Sequence, residues 1–161
     1  MDYPVTPAVR VLREKKVAFE PRLYDYVEHG GTRHSAEALG VDEHAVVKTL
    51  VMETDAHKPL IVLMHGDREV STKQLARALG VKSVHPCDFA QAQKHTGYLV
   101  GGTSPFGTRA HLPVYVERTI FELPVIYING GKRGFLVEIE PGVLRDVLPV
   151  EEVEVAIEKG V

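Results

Sequence analysis

Two strand-like segments, residues 125–129 and 134–140, are separated only by Gly130-Gly131-Lys132-Arg133. Paired glycines between β-rich segments are typical of a tight hairpin turn, and a hairpin joins antiparallel strands. This feature therefore excludes a purely parallel, doubly wound sheet. Residues 46–53 and 60–64 predict two further consecutive core strands, and residues 113–117 predict another.

Capping residues and glycines place the helices among these strands. Serine, threonine and aspartate favour the position before a helix, and glycine favours the position after it. They predict helices over residues 7–16 behind Thr6, 36–39 between Ser35 and Gly40, 72–79 between Ser71 and Gly80, 89–95 behind Asp88, and 141–148 from Pro141. Residues 19–27 predict an edge strand, because Pro21 cannot donate to a neighbouring strand. The irregular order predicts an α+β fold with a mixed sheet, for which closure into a barrel is one arrangement.

The composition of the chain is that of one globular domain. Its 161 residues are 44% apolar and 25% charged, which is enough for a packed core. We therefore expect a single domain over residues 1–161, in which the acidic residues 150–161 form a peripheral tail. The single cysteine excludes a disulfide framework and fits a reducing cytoplasm, where we place the protein. No apolar run approaches the roughly 20 residues that span a bilayer, so no membrane partner is expected.

The sequence signatures of common enzyme classes are missing. Neither the phosphate-binding G-x-x-x-x-G-K-[ST] nor the dinucleotide-binding G-x-G-x-x-G occurs. The glycines around Ser104 do not have the spacing of a nucleophile elbow, and Pro105 lacks the amide that would follow it. The eight histidines lack metal-ligand spacing, and a lone Cys87 is more typical of a buried filler than of a nucleophile. The residues alone therefore identify no metal set, no nucleophile elbow and no dinucleotide-binding loop.

Lys48 is an unusual residue for its predicted strand. Because side chains alternate along a strand, Lys48 shares one face with Val46, Leu50 and Met52. Burying an ammonium group is costly unless a partner or a ligand compensates its charge. One interpretation is a lysine whose stem is buried while its charge reaches water. The other is a pocket lysine directed at an anionic or carbonyl-bearing ligand.

Two glycine-rich segments are candidates for ligand binding. In the first, Gly101 and Gly102 follow a strand-like Tyr-Leu-Val and can bring backbone amides close to a carbonyl oxygen. The alternative for this segment is a tight surface turn. In the second, the predicted hairpin turn carries Lys132 and Arg133, which are either phosphate contacts or solvated turn residues.

Five motifs in register resemble one known family. They are TPAVRVLREKKVAFE from Thr6, VVKTLVME with Lys48, GDREV from Gly66, TGYLVGGTSPFG from Thr96, and YINGGKRG followed by VEI. From about Thr6 to Leu148 the chain resembles the YbaK and prolyl-tRNA-synthetase editing-domain family, and most of all its free-standing Cys-tRNA(Pro) deacylase branch. The resemblance implies a mixed β-sheet that is closed or nearly closed into a barrel with surrounding helices.

The resemblance also implies an activity. It implies hydrolysis of the ester of a mischarged Cys-tRNA(Pro) without a metal, a cofactor or a protein nucleophile. The thiol of the bound cysteine, or a terminal ribose hydroxyl, would assist the attack, and lyase-type release of the cysteinyl group is a variant of this chemistry. Such chemistry needs only a preorganised pocket and a polarised carbonyl group.

Site residues follow from the same resemblance. Lys48 matches the pocket lysine that holds the substrate's 3′ end and polarises the ester, and Gly101 matches the loop glycine whose backbone positions the aminoacyl group. Tyr24 matches a tyrosine near the pocket in the cysteinyl branch. Further substrate contacts are expected from Gly102, Thr103, Ser104, Pro105, Asn129, Gly130 and Gly131. Asn129 stands where relatives often carry serine, and its amide can both donate and accept hydrogen bonds.

The expected partners are the acceptor 3′ end of an aminoacyl-tRNA and prolyl-tRNA synthetase in a ternary complex. Lys132 and Arg133 are the expected phosphate contacts. The net charge of −3 suits a non-catalytic binding module, and it equally suits an enzyme that binds only the acceptor end or works beside a synthetase. Two alternatives stay open: a deacylase for alanine or serine on tRNA, and a non-catalytic module that binds an aminoacyl or nucleotide end. One methylene or thiol gives only about 1–3 kcal/mol of discrimination, so the sequence leaves the aminoacyl group open.

Overall fold

A computed structural model of the chain describes residues 2–160, and Met1 and Val161 lie outside the described residues. The helices are α1 Pro7–Glu14, α2 Gly31–Leu39, α3 Thr72–Leu79, α4 Phe89–Thr96 and α5 Val143–Val147. The strands are β1 Glu20–Leu23, β2 Val46–Thr54, β3 Pro59–His65, β4 Arg68–Val70, β5 Val84–Pro86, β6 Val114–Glu117, β7 Ile126–Lys132, β8 Phe135–Ile139, β9 Val150–Val153 and β10 Ala156–Glu158. Over residues 2–160, no helix has the length and apolar character needed to cross a membrane.

Eight of these strands form one mixed sheet. Its order is β1-β8-β7-β2-β3-β6-β9, and β5 pairs with β2 beside this path. Strand β2 is parallel to β7, and β6 is parallel to both β3 and β9, whereas the other pairs of this sheet are antiparallel. The predicted α+β class with a mixed sheet and surrounding helices is therefore confirmed.

The predicted closure of the sheet into a barrel is wrong. Strands β1 and β9 lie at opposite edges, and within residues 2–160 they do not pair with each other. Strand β1 carries Pro21, which cannot donate to a further neighbour. After β9 the chain turns away from the sheet, and β10 pairs with β4 instead. The sheet is therefore open.

The core lies on both faces of β3. Ile61 and Leu63 face the largest apolar cluster, which includes α1 and the inner faces of β6, β7 and β8. Leu60, Val62 and Met64 face a second cluster with α3. A third, smaller cluster lies between α2, β2 and β8. A central strand that is buried on both faces explains the unbroken apolar run Leu-Ile-Val-Leu-Met.

Most predicted helix boundaries are confirmed by their caps. The side chains of Thr6, Ser71 and Asp88 accept hydrogen bonds from the third residue along the chain, at 2.8–3.2 Å. Helix α2 differs, because it begins at Gly31 rather than behind Ser35. The Ser35 hydroxyl lies inside this helix and donates to the Thr32 carbonyl oxygen at 3.0 Å, so it is not available as a cap.

The predicted hairpin between β7 and β8 exists, but its turn is displaced. Lys132 pairs with Phe135, so the turn is Arg133-Gly134, and Gly130 and Gly131 lie in an irregularity within β7. The Asn129 side-chain oxygen accepts from the amides of Gly131 and Lys132, at 2.7 and 3.1 Å. These local bonds replace ladder bonds and produce the bulge.

The acidic C-terminal segment is attached more firmly than its composition indicates. Strand β9 pairs with β6 along four residues, and β10 pairs with β4. Val153 and Val155 are buried in the second apolar cluster. The Glu117 carboxylate accepts from the amides of Val155 and Ala156 at 2.7 and 3.0 Å. Residues 150–153 thus extend the large sheet and residues 156–158 pair with β4, whereas Val161 lies outside the described residues.

Candidate active site

A cleft of about 580 Å³ opens where β2 has no neighbouring strand on one side. Strand β7 pairs with this edge only at Val46 and Val47, and β5 pairs with it only from Met52 to Thr54. The edge of residues 48–51 is therefore not covered by a strand of the described chain. Helix α2, the start of α4 and the loop of residues 98–104 surround the cleft at this edge.

Lys48 lies in this cleft on the face that the sequence predicts. Val46 belongs to the cluster under α2 and Met52 to the cluster under α3, whereas Val47 faces the largest cluster on the opposite side. The Lys48 ammonium group has no hydrogen bond or ion pair within residues 2–160. Burial lowers the pKa of Lys48 below its usual value of 10.5, and the charge of Lys159 lowers it further. Lys48 is thus a partly buried cation without a protein partner.

Thr49 is a second polar residue of the cleft, and the sequence analysis missed it. Its hydroxyl oxygen is, within residues 2–160, the only buried side-chain nitrogen or oxygen without a hydrogen-bond partner. The backbone amides and carbonyls of successive β2 residues point alternately to the two edges of the strand. The Val46 carbonyl accepts from the Gly66 amide on the edge that faces β3, and the Val51 carbonyl accepts from the Cys87 amide on the opposite edge, so odd-numbered residues point away from β3. The amide and carbonyl of Thr49 therefore point to the open edge. No sequence pattern reveals this, because it depends on where β7 and β5 stop pairing.

Two polar side chains hold the glycine loop against the β7–β8 hairpin. The Asn129 side-chain amide donates to the Gly101 carbonyl oxygen at 3.2 Å. The Arg133 guanidinium donates to the Val100 carbonyl oxygen at 2.9 Å, and it lies 5.1 Å from the ring centre of Tyr26. Both residues line the cleft and fix the position of its loop wall. Arg133 therefore has a structural role in addition to its predicted contact with phosphate.

The structure brings about half of the predicted site residues to the cleft. Its lining contains Lys48, Gly101, Tyr24, Thr103, Asn129 and Arg133. In the described chain, the other predicted residues do not line it: Gly102, Ser104, Pro105, Gly130, Gly131 and Lys132. Buried Ser104 accepts from the Phe106 amide at 3.2 Å, so its hydroxyl supports the loop from behind.

Close packing explains the glycines that lie behind the cleft. A Cβ atom on Gly102 would lie 2.7 Å from the Arg133 amide nitrogen. On Gly130 it would lie within 3 Å of the Phe135 ring, and on Gly131, at φ +100°, within 3 Å of Tyr98. The double glycine is thus required by packing of the hairpin. Its predicted contact with substrate stays a prediction.

Gly101→Ala is expected to lower kcat/KM about 100-fold, because displacing a positioning group by about 1 Å has this order of effect. Gly101 has φ +91°, and a Cβ atom there would lie 2.8 Å from the Tyr26 hydroxyl. Strain at this backbone position costs about 1–2 kcal/mol of unfolding free energy. Steady-state kinetics and thermal unfolding measure the two effects. The matched control is Gly142→Ala, where a Cβ atom meets nothing within 4 Å. A Gly101→Ala protein with wild-type kcat/KM would contradict the proposal that this loop positions the substrate.

The C-terminal segment contributes a second lysine to the cleft. Lys159 follows β10 and donates to the Glu43 carboxylate at 3.2 Å, and the Thr32 hydroxyl donates to the same oxygen at 2.9 Å. The charged side chains that line the cleft are the cations Arg33, Lys48, Arg133 and Lys159 and the carboxylate of Glu28. A chain of net charge −3 thus has a locally positive cleft.

Lys159→Gln is expected to move the alkaline limb of the activity profile to higher pH. The Lys159 charge lowers the pKa of Lys48, so its removal lets this pKa rise and keeps the ammonium charged to a higher pH. The pH dependence of kcat/KM above neutrality measures this shift, and it should shrink in high salt. Lys82→Gln, which removes an exposed lysine outside the cleft lining, is the control. A shift to lower pH would contradict the coupling.

Neither the cysteine nor the clustered histidines has the properties of a catalytic centre. Burial raises the pKa of the Cys87 thiol to about 11, so it is protonated at neutral pH. His44 and His65 form, with Asp67, the only candidate metal cluster of residues 2–160. The two imidazole rings are nearly parallel, with their centres 3.8 Å apart, and both His65 nitrogens are hydrogen-bonded, to the His44 carbonyl and the Thr119 hydroxyl. Lone pairs in parallel planes do not converge on one ion at about 2.0–2.1 Å, so this donor set does not fit a metal.

Comparison with known proteins identifies the family to which the chain belongs. Residues 31–147 match the model of a protein family described as the aminoacyl-tRNA editing domain. The match covers Lys48, Thr49, the glycine loop and the hairpin. The chain belongs to the aminoacyl-tRNA editing domain family. The resemblance deduced from its motifs is thereby confirmed.

Individual members of the editing-domain family resemble the chain over most of its length. A candidate Cys-tRNA(Pro)/Cys-tRNA(Cys) deacylase, EbsC of Enterococcus faecalis, is 31% identical over 137 residues, which are 84% of each chain. A proline–tRNA ligase of Ligilactobacillus salivarius is 34% identical over 100 residues, which are 62% of this chain but only 17% of the ligase. The crystal structure of a candidate trans-editing enzyme for prolyl-tRNA synthetase superposes with a TM-score of 0.80 at 18% identity, covering 98% of this chain and all of the other. This last similarity concerns the fold.

Proposed function

We propose that this editing-domain protein is a trans-editing deacylase that hydrolyses the ester of mischarged Cys-tRNA(Pro). The observation that carries the proposal is the cleft at the open edge of β2, where Lys48 and Thr49 present polar groups without protein partners. Unpaired polar groups in a cleft are matched by a ligand that supplies the missing bonds. The deacylase name of the Enterococcus relative indicates the cysteinyl ester as that ligand.

The chemistry that this cleft supports is polarisation of an ester carbonyl. The Lys48 ammonium group and the Thr49 backbone amide, which points to the open edge, donate hydrogen bonds to the carbonyl oxygen, where negative charge develops during attack. The Gly101 loop, held by Asn129, positions the aminoacyl group. The protonated Cys87 thiol is not the nucleophile. The attack is assisted by the thiol of the bound cysteine or by a terminal ribose hydroxyl, and no metal ion takes part.

The positive lining of the cleft supports binding of the acceptor 3′ end of a tRNA. Four cationic side chains against one carboxylate attract phosphate locally. The rest of the chain is acidic, so it supplies little general attraction for a whole tRNA. A ternary complex with prolyl-tRNA synthetase would supply the remaining contacts, and a protein with this function would work in the cytoplasm, where translation occurs.

A panel of aminoacyl-tRNAs tests this function. Purified protein is incubated with Cys-, Ala-, Ser- and Pro-tRNA(Pro), and the loss of each ester is followed over time. We expect rapid loss of the cysteinyl ester, slower loss of the alanyl and seryl esters, and no loss of the prolyl ester. Faster loss of the alanyl or seryl ester would indicate a deacylase with a different aminoacyl substrate. Binding of every charged tRNA without loss of any ester would indicate a binding module and not an enzyme.

A further inference from the structure

The cleft has an aromatic residue at its entrance that the proposed chemistry does not use. Phe89 lines the cleft, and it is 71% exposed, more than any other large apolar side chain of residues 2–160. The other exposed members of this class are aliphatic: Val5, Leu23, Val27 and Leu99. Among the described residues, Phe89 has no stacking or cation–π partner. Its ring is therefore free on the side of the cleft.

The position of Phe89 is fixed by its neighbours. It is the first residue of α4, whose cap Asp88 accepts from the Gln91 amide at 2.8 Å. The preceding Cys87 amide donates to the Val51 carbonyl at 3.0 Å, which anchors the start of the helix to β2. An exposed ring on such an anchored segment loses little conformational freedom when it binds a ligand.

The placement of Phe89 relative to Lys48 along β2 fits a nucleotide. Cys87, two residues before Phe89, bonds to Val51, and Val51 lies three residues beyond Lys48, which corresponds to about 10 Å along a strand. An ester carbonyl at Lys48 is attached to the ribose of the terminal nucleotide, whose base extends from the other side of that sugar. The cleft therefore offers cations and hydrogen-bond donors at one end and an unpaired aromatic face at the other.

We propose that Phe89 is a stacking platform for the terminal nucleobase of the acceptor end. Unpaired bases of single-stranded RNA stack on aromatic side chains in this way. This inference deepens the proposed function and rests on it for the identity of the ligand. It assigns the direction of the substrate, with the aminoacyl group toward Lys48 and the base toward α4.

Fluorescence provides a test that does not depend on turnover. The chain contains no tryptophan, so Phe89→Trp introduces a single indole at the platform. The probes are a short single-stranded RNA ending in CCA and the same RNA with an abasic terminal ribose. Quenching by the first RNA and its absence with the second is the expected result. The control is Leu23→Trp, at another exposed apolar position outside the cleft, and neither RNA should quench it.

Kinetics with Cys-tRNA(Pro) distinguishes binding from a structural role. Phe89→Ala is expected to raise KM about tenfold, since stacking of one base contributes about 1–3 kcal/mol, while kcat changes little. Phe89→Tyr is expected to have the wild-type KM, because tyrosine keeps the aromatic face. The control Leu23→Ala is also expected to have the wild-type KM. Unchanged KM in Phe89→Ala, or equal quenching by the abasic RNA, would overturn the platform. If Phe89→Trp is quenched as expected but the wild type hydrolyses no ester, the proposed activity fails and the platform stands.

Discussion

Lys48→Met is expected to lower kcat/KM at least about 100-fold, the size of effect seen when a donor to a developing oxyanion is removed. The same substitution is expected to raise the free energy of unfolding by about 1 kcal/mol, because the strained groups of a functional site are typical positions for stabilising substitutions. Lys48 lies half-buried between apolar clusters, and its ammonium has no partner within residues 2–160. Methionine has a similar length and no charge, so it fills the same space.

The size of the stability effect depends on pH. Burial lowers the pKa of Lys48 in the folded state below its value of 10.5 in the unfolded chain. Between the two pKa values the unfolded chain binds more protons, so wild-type stability rises with pH there. The advantage of Lys48→Met should therefore be largest near neutral pH and shrink as the pH rises through the folded-state pKa.

Deacylation assays and denaturant unfolding at several pH values measure these two effects. Lys58→Met, at an exposed turn lysine just after β2, is the matched control and should leave activity unchanged. A fully active Lys48→Met protein would show that Lys48 takes no part in the reaction. A protein that is both inactive and strongly destabilised would assign it a structural role instead.

Thr49→Val is the second substitution with a large expected effect, and this effect is on stability. The Thr49 hydroxyl is buried without a partner on the face of β2 opposite Lys48, so its replacement by a methyl group is expected to stabilise the fold by about 1 kcal/mol. Valine keeps the shape of the side chain and the backbone amide at the open edge, so kcat should change little. Denaturant unfolding and single-turnover deacylation measure the two quantities.

Thr54→Val provides a control on the same strand. The Thr54 hydroxyl oxygen is also buried, but it accepts from the amides of Ala56 and Lys58 at 3.2 and 3.3 Å. Its loss leaves these amides without a side-chain partner, so we expect about 1 kcal/mol of destabilisation with normal kcat. If Thr49→Val were destabilised as much as Thr54→Val, the Thr49 hydroxyl would have a hydrogen-bond partner and the account of β2 would be contradicted.

Local patterns predict local structure in this chain. The caps at Thr6, Ser71 and Asp88 and the glycines that end two helices, Gly40 and Gly80, are confirmed, because each depends on a few adjacent residues. The alternation along β2 is confirmed for the same reason. Strands β9 and β10 were missed because pairing partners far along the chain form them. The closure of the sheet also depends on distant partners, and there the prediction was wrong.

The same distinction applies to the candidate site. Lys48 and Gly101 are conspicuous in the sequence, as a charge in an apolar strand and a glycine in a glycine-rich loop, and both line the cleft. Thr49 is an ordinary strand residue until the gap between β7 and β5 is known. Lys159 reaches the cleft only because β10 pairs with β4. Residues whose role depends on tertiary pairing leave no signal in the sequence around them.

The most direct measurement of the central claim is a single-turnover assay with excess protein and Cys-tRNA(Pro) in buffer containing EDTA. The account predicts first-order loss of the cysteinyl ester that does not require added metal, while Pro-tRNA(Pro) stays charged under the same conditions. Loss of the cysteinyl ester no faster than in buffer alone would contradict the assignment as a deacylase. Loss that appears only when a metal ion is restored would contradict the metal-free mechanism.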